Sequence, residues 1–510
     1  MKKFLKPIFS KKILGILFLF MQITLIALTL TGIYDSSFYV SGTLIVLAVI
    51  IDIYEINRNA DPSVKLVWIG IVSLVPLFGI FLYIYVHSDA IIHLLRRRLG
   101  LISAKVSRAS LSFSADLTEL KEISPNDYNL FCYLKKNAPA PAFNCGEVTY
   151  FPCGENMYSA VLEDIKSAEK YIFIEMFIIN EKDSMWQEIE EIIIKKAKSG
   201  VEVRVIYDAM GSYGITSNSF SQRLERQGIS CKVFSPLKPF ISTYHNNRDH
   251  RKIIIVDGKC AYTGGINIAD EYINRKVRFG HWKDTAIRFE GSAVPGLIIM
   301  YLKMWNLISN KKDDYKSYFP KPQETDTGKG YICTFDDTPM DVEWVTKNVF
   351  IHILSNACDY VYINTPYLIL GEDLESALKF AARRGVDVRI TLPHIPDKWY
   401  AFAVGRTHYP DLLKAGVRIY EYTPGFIHAK STVSDDSRVY IGSANYDFRS
   451  LYHNYECGAY IYGNEVAQNL KEDYLATLKL SREFTHEDYK KLNLLYRLTG
   501  RVLKLFAPLL

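Results

Sequence analysis

His250-Arg251-Lys252-Ile-Ile-Ile-Val-Asp257, followed by Gly264-Gly265-Ile-Asn267, is the stretch that decides the fold, because the chain contains it twice. The second copy is His428-Ala429-Lys430-Ser-Thr-Val-Ser-Asp435, followed by Gly442-Ser443-Ala-Asn445. Counted from each His, Lys stands at +2, Asp at +7, Gly at +14 and Asn at +17 in both. One such motif is a weak signal; two with the same downstream spacing indicate an internal duplication.

The duplication extends upstream. Ala168-Glu-Lys-Tyr-Ile-Phe-Ile-Glu175 and Lys198-Ser-Gly-Val-Glu-Val-Arg-Val-Ile-Tyr-Asp208 have counterparts in Ala357-Cys-Asp-Tyr-Val-Tyr-Ile-Asn364 and Arg384-Gly-Val-Asp-Val-Arg-Ile-Thr391. Each copy reads as helix, apolar strand, helix, Gly-Val turn and apolar strand, with helical periodicity over Glu188 to Lys198 and Leu374 to Arg384. The fold class is therefore α/β, with two repeats packed as a pseudo-twofold pair. The expected boundaries are a membrane region at 1–90, a linker at 91–140, repeats at 141–325 and 326–485, and a basic amphipathic C-terminal helix at 486–510.

On a strand, residues i and i+2 share a face, so each motif sets an imidazole beside an ammonium. Two such faces brought together make a pocket with two His and two Lys. The lysines, with Asn267 and Asn445, suit the nonbridging oxygens of a phosphodiester, where charge builds in the transition state. One imidazole can attack phosphorus while the other serves as acid and then base. His250, Lys252, Asp257, His428, Lys430 and Asp435 are the candidate catalytic set. Asp257 and Asp435 fall at strand ends, where a supporting structural role is preferred. No P-loop and no acidic cluster of metal-ligand spacing is present, so neither nucleotide hydrolysis nor two-metal chemistry is indicated, and no cofactor is expected.

The N-terminal region is of a different kind. Ile13 to Ile33 and Leu66 to Val86 are uncharged runs of 21 residues each, long enough to cross a hydrocarbon core; Phe38 to Ile51 is a shorter third candidate. Two or three transmembrane helices are expected. Five lysines before Ile13 favour a cytoplasmic N-terminus, whereas Arg96, Arg97 and Arg98 favour a cytoplasmic catalytic part. With three spans these signals oppose each other. A formal net charge of +6 over 510 residues is too mild to argue for a nucleic-acid partner. The eight cysteines contain no C-x-x-C pair and read as free thiols.

The duplicated motif, with GGINIAD and GSANYDFRS after it, resembles the phospholipase D superfamily. The whole chain from about residue 40 is similar to bacterial cardiolipin synthases. The resemblance is carried further by Trp68…Pro76-Leu-Phe-Gly79-Ile-Phe-Leu-Tyr83, Asn267-Ile-Ala-Asp-Glu-Tyr272, His281-Trp-Lys-Asp284, Asn364-Thr-Pro-Tyr367 and Ala507-Pro-Leu-Leu510. It implies two phospholipase D-like repeats after transmembrane helices, in a multi-pass protein of the bacterial cell membrane. It implies transfer of a phosphatidyl group between two phosphatidylglycerol molecules, giving cardiolipin and glycerol through a phosphatidyl-histidine. It also implies that His250 is the nucleophile and His428 the acid/base, and that Asp284 and Glu456 each orient a motif histidine. These acids lie at +34 and +28 from the two histidines, unequal offsets that the repeat arithmetic does not find. The competing readings are a hydrolase of phospholipids with the same residues, a membrane-tethered nuclease, and a catalytically dead scaffold.

Overall fold

The structure, a computed structural model, describes residues 20–24, 27–28, 31, 35–87, 96–102, 114–235, 247–309, 313–320, 328–341 and 343–509. Contacts divide the chain into a membrane unit (1–94, 237–246 and 505–510) and a catalytic unit (95–236 and 247–504). Most of the run Ile13 to Ile33 lies outside the described residues.

In the membrane unit, the shortest of the three candidates forms the longest helix among the described residues. Asp35–Asn57 is one helix of 23 residues, about 34 Å long and enough to cross a bilayer. The run Leu66 to Val86, expected as a span, instead folds into two helices, Pro62–Leu74 and Pro76–His87. Each is only about 18–20 Å long. Pro76 supplies no N–H to continue the first helix, and the chain doubles back: Trp68 meets Tyr83 and His87 at ring distances of 5.4 and 5.3 Å. Gly79 permits the close turn, since a Cβ there would lie 2.5 Å from the Ile71 carbonyl oxygen. This correction follows from hydropathy averaging, which sees an uncharged run and not a reversal inside it.

In the catalytic unit the duplication is a duplication of sheet topology. The first repeat orders its strands Val148–Phe151, Ala286–Glu290, Cys260–Gly264, Lys252–Val256, Tyr171–Met176, Glu202–Asp208 and Ser230–Phe234. The second contains the same order in Tyr331–Asp337, Asn454–Tyr462, Arg438–Gly442, Ser431–Ser434, Tyr360–Asn364, Asp387–Pro393 and Arg418–Tyr422. In each, the last three strands run parallel, and the motif strand pairs antiparallel to the first of them. The parallel strands are joined by helices Ser184–Lys198 and Glu372–Arg383, which contain the periodic segments expected above.

The helical stretch Gly291–Ser309 is long and apolar enough to cross a membrane, yet Val294 to Leu307 are all buried, so it is a core helix of the catalytic unit. The segment expected as a linker at 91–140 carries structure of its own. Helices Thr118–Ile123 and Pro125–Asn137 place Leu120, Leu130, Phe131 and Leu134 in the core of the second repeat with Phe335, Val349 and Phe350. The C-terminal region holds two helices, His486–Lys491 and Leu494–Lys504. Leu134 is fully buried, so Leu134→Ala is expected to destabilise the catalytic unit by about 2–5 kcal/mol; a thermal midpoint equal to wild type would place 114–137 outside the folded unit.

Candidate active site

Each motif histidine follows a short strand that pairs with the opposite repeat. Arg248–Asp249 lies parallel to Asn454–Tyr455, and the His250 N–H donates to the Tyr455 carbonyl at 2.9 Å. Gly425–Ile427 lies parallel to His281–Lys283, and the His428 N–H donates to the Lys283 carbonyl at 2.7 Å. In both ladders the residue after that carbonyl is an acid, Glu456 in one and Asp284 in the other. The register therefore carries a carboxylate of one repeat to the imidazole of the other. His250 Nδ1 lies 2.9 Å from Glu456, and His428 Nδ1 lies 2.7 Å from Asp284.

Both carboxylates are fully buried and both histidines nearly so. Burial alone would raise the Glu456 pKa, but His250, Lys252 and the Ser443 hydroxyl outweigh it and hold the carboxyl down at about 2. Asp284 is likewise lowered: burial opposes its charge, and His428 and Lys430 overcome that. An ionised carboxylate accepts from Nδ1–H, which leaves Nε2 of each imidazole with its lone pair free.

The lysines complete the site. Lys252 and Lys430 are buried, and each ammonium donates to the carbonyl of its own motif histidine. Burial draws them down, Lys252 to about 8 and Lys430 to about 7. The histidines are lowered too, first by burial and then by the lysine of their own motif, with a smaller contribution from the lysine of the other: Lys252 then Lys430 on His250, and Lys430 then Lys252 on His428, which is brought to about 3. Each lysine thus acts on the histidine of the other repeat, so all four groups share one site. Four groups that become cationic, packed with two carboxylates, form a receptor for an anion.

Aromatic rings close the walls. Phe177 packs edge-on against His250 at 4.9 Å, while Tyr272 and Trp282 lie 5.4 and 5.3 Å from His428. Asn267 is buried and structural in its contacts: its amide donates to the Tyr272 hydroxyl at 2.7 Å and accepts from the Ile178 N–H at 3.1 Å. Asn445 donates to Asp447 at 2.9 Å. Gly265 faces Asp284, and a Cβ there would sit 2.0 Å from Oδ1. At the matching position Ser443 instead donates to Glu456. Phe177 carries no signal of spacing to the motifs, and Ser443 and Trp282, though they stand in the stretches GSANYDFRS and His281-Trp-Lys-Asp284, are not marked out because the two copies do not repeat them.

Asp257 and Asp435 do not join this cluster. Each lies seven residues along the chain from its histidine, roughly 20 Å away on an extended strand. Asp257 accepts from the backbone N–H groups of Glu169, Lys170 and Tyr171 at 2.7–2.8 Å. Asp435 does the same for Cys358, Asp359 and Tyr360 at 2.8–3.0 Å. Both sit at positive φ, 55° and 50°. These contacts are of the supporting structural kind preferred for them from the sequence: they pin the strand that begins at Tyr171 or Tyr360 to the end of the motif strand. Arg251 is a further buried charge that the motif pattern passes over. It is held by Glu175 at 2.5 Å and Asp249 at 3.0 Å, whereas the second repeat has Ala429 there.

A family model described as "Cardiolipin synthase, PLD-like domain" matches residues 161–277 and 350–477. A cardiolipin synthase of Alkalihalophilus pseudofirmus is 33% identical over 92% of this chain and 94% of its own length. One from a Geobacillus species is 31% identical over 93% of each. An uncharacterized protein of Streptococcus mutans is 43% identical over 90% of this chain and 99% of its own. Among solved structures, a phosphatidylserine synthase of Haemophilus influenzae superposes with a TM-score of 0.55 at 13% identity, over 75% of this chain and 97% of that one, a likeness of fold.

Two kinds of variant separate the roles of the acids. Asp257→Ala removes the acceptor of three converging backbone N–H groups, of which that of Tyr171 is buried, and is expected to cost about 1–3 kcal/mol of stability, read as a lower thermal midpoint. Glu456→Gln and Asp284→Asn keep the shape but lose the charge on Nδ1. They are expected to lower kcat by about a hundredfold or more with little change in folding, and unchanged turnover in both would remove the assigned pairing.

Proposed function

Because this chain belongs to the cardiolipin synthase family of phospholipase D-like enzymes, and is a phospholipid phosphatidyltransferase, we propose that it joins two phosphatidylglycerol molecules into cardiolipin and glycerol through a phosphatidyl-histidine. The observation that carries this reading is the pair of crossed imidazole–carboxylate contacts, 2.9 and 2.7 Å, around lysines that act on both histidines.

The phosphodiester of the first lipid lies between the two imidazoles, its nonbridging oxygens on Lys252 and Lys430. Nε2 of His250 attacks phosphorus. The bond to the glycerol oxygen breaks, and His428 delivers a proton to that oxygen, so that glycerol leaves. An anionic diester in the site raises the affinity of His428 and of both lysines for protons, which gives His428 the proton it donates. Neutral His428 then takes the proton of the terminal hydroxyl on the second phosphatidylglycerol. The hydroxyl oxygen attacks phosphorus, the N–P bond breaks, and cardiolipin forms. One phosphodiester replaces another, so the exchange needs no nucleotide.

Asp284 and Glu456 orient the imidazoles and stabilise their charged forms; Asn267 and Asn445 support the walls. The enzyme works in the cell membrane on membrane lipid.

Purified enzyme given phosphatidylglycerol labelled with radioactive phosphate is expected to form cardiolipin and free glycerol; phosphatidic acid as the product would establish hydrolysis instead. Alkaline quenching, which preserves the N–P bond, is expected to leave label on His250, and label on His428 would reverse the two roles. His250→Ala and His428→Ala should each lower turnover at least about a thousandfold.

The lysines set the alkaline side of the pH profile. Their folded values, about 8 and about 7, lie below the ordinary lysine value of 10.5, so they lose their protons as pH rises through that range. Since kcat/KM reports the free enzyme, it is expected to fall as pH rises above about 7–8. A profile flat to pH 10 would show that these lysines do not carry the phosphate charge.

A further inference from the structure

The C-terminal helix Leu494–Lys504 is apolar on two opposite sides. At about 100° per residue, Tyr496, Gly500 and Leu503 share one side and Leu494, Leu495, Leu498 and Val502 the other. The first side is used internally. Helix Trp399–Gly405 crosses it so closely that a Cβ on Gly500 would lie 2.3 Å from the Ala403 carbonyl oxygen. Lys504 also turns inward, its ammonium 3.3 Å from the ring of the buried His408. The second side has no such contact among the described residues: Leu494, Leu495, Leu498 and Val502 are 46–72% exposed.

The crossing helix carries exposed aromatic side chains of its own: Trp399, at its first position, is 59% exposed, with Tyr400 beside it at 39%. Large apolar side chains left exposed along one helix face are costly to keep in water. Along the C-terminal segment the charge has one sign: from Tyr489 to Leu510 there are five basic residues and no acidic one. Arg501 is exposed at the edge of the apolar arc, and Lys398 adjoins Trp399 in sequence. The residue after Lys504, Leu505, already belongs to the membrane unit.

We propose that this surface seats the catalytic unit on an anionic bilayer. Leu494, Leu495, Leu498 and Val502 enter the boundary between headgroups and acyl chains. Trp399 and Tyr400 lie at headgroup level, and Arg501, Lys491 and Lys398 face lipid phosphates. The arrangement goes beyond phosphatidyl transfer: it is a binding surface for bulk lipid, separate from the site that holds the reacting phosphate.

The test uses the full chain in vesicles of equal parts phosphatidylglycerol and phosphatidylcholine. Leu498→Cys, in a background where the exposed Cys132 and Cys358 and the half-buried Cys153 are replaced by Ser, is labelled with an environment-sensitive fluorophore. Lipids brominated along the acyl chain are expected to quench it. In parallel, Leu495→Glu with Val502→Glu is expected to lower cardiolipin formation on vesicles by about tenfold, the factor that the transfer free energy of one buried leucine carries. Turnover of a short-chain phosphatidylglycerol kept below its micelle concentration should be unchanged.

Absence of quenching overturns the proposal. So does a dimer in detergent that these two substitutions convert to monomer, since the face would then be covered by a second copy. An equal loss on monomeric and vesicle substrate also overturns it, because the residues would then be acting on the catalytic site itself. Quenching does not depend on turnover, so it stands or falls separately from the assigned reaction.

Discussion

Everything in the catalytic unit is arranged around two backbone hydrogen bonds, from the His250 N–H to the Tyr455 carbonyl and from the His428 N–H to the Lys283 carbonyl. Each fixes a motif histidine against the opposite repeat, and each places an acid as the next residue after the accepting carbonyl. Neither repeat alone pairs its motif histidine with the carboxylate that orients it. The duplicated halves therefore need each other for chemistry as well as for burial of their sheets. The seven matched strands of each half serve to hold these two ladders in register.

The electrostatics of the site follow from that register. Burying two lysines is expensive unless something offsets it. Glu456 and Asp284 are the carboxylates that act on both lysines, but each is committed to an imidazole. What remains is a pocket with more proton-binding groups than carboxylates, in which both lysines titrate well below their ordinary value. Such a pocket favours a ligand that brings negative charge and no proton, which describes a phosphodiester. The same surplus keeps the imidazoles neutral, the form in which one of them can act as nucleophile.

The motif aspartates show how a residue can be constant in spacing and still lie outside the chemistry. Asp257 and Asp435 recur at +7 because both repeats must close the same gap between the end of the motif strand and the start of the neighbouring one. Three converging N–H groups and a positive φ are a demand that Asp meets well. Strand pinning and catalysis leave equally regular traces in a sequence. The membrane unit makes a related point, since Pro76 and Gly79 stood in plain view inside an uncharged run, and only the ring contacts of Trp68 with Tyr83 and His87 reveal a reversal.

What the sequence determined by itself was everything that depends on local period and on repetition: two α/β halves, their strands at Tyr171 and Tyr360, their helices, and the four motif residues that sit on one strand face. These are legible because residues two apart on a strand, or three to four apart on a helix, are neighbours in any fold that contains the element. Tertiary structure alone decided which acid serves which histidine, that Asn267 holds Tyr272, that Ser443 steadies Glu456, and that 118–137 belongs to the second core. Those contacts join residues from about five to more than two hundred positions apart, in a register set by how the two repeats meet, and no spacing along the chain encodes that meeting.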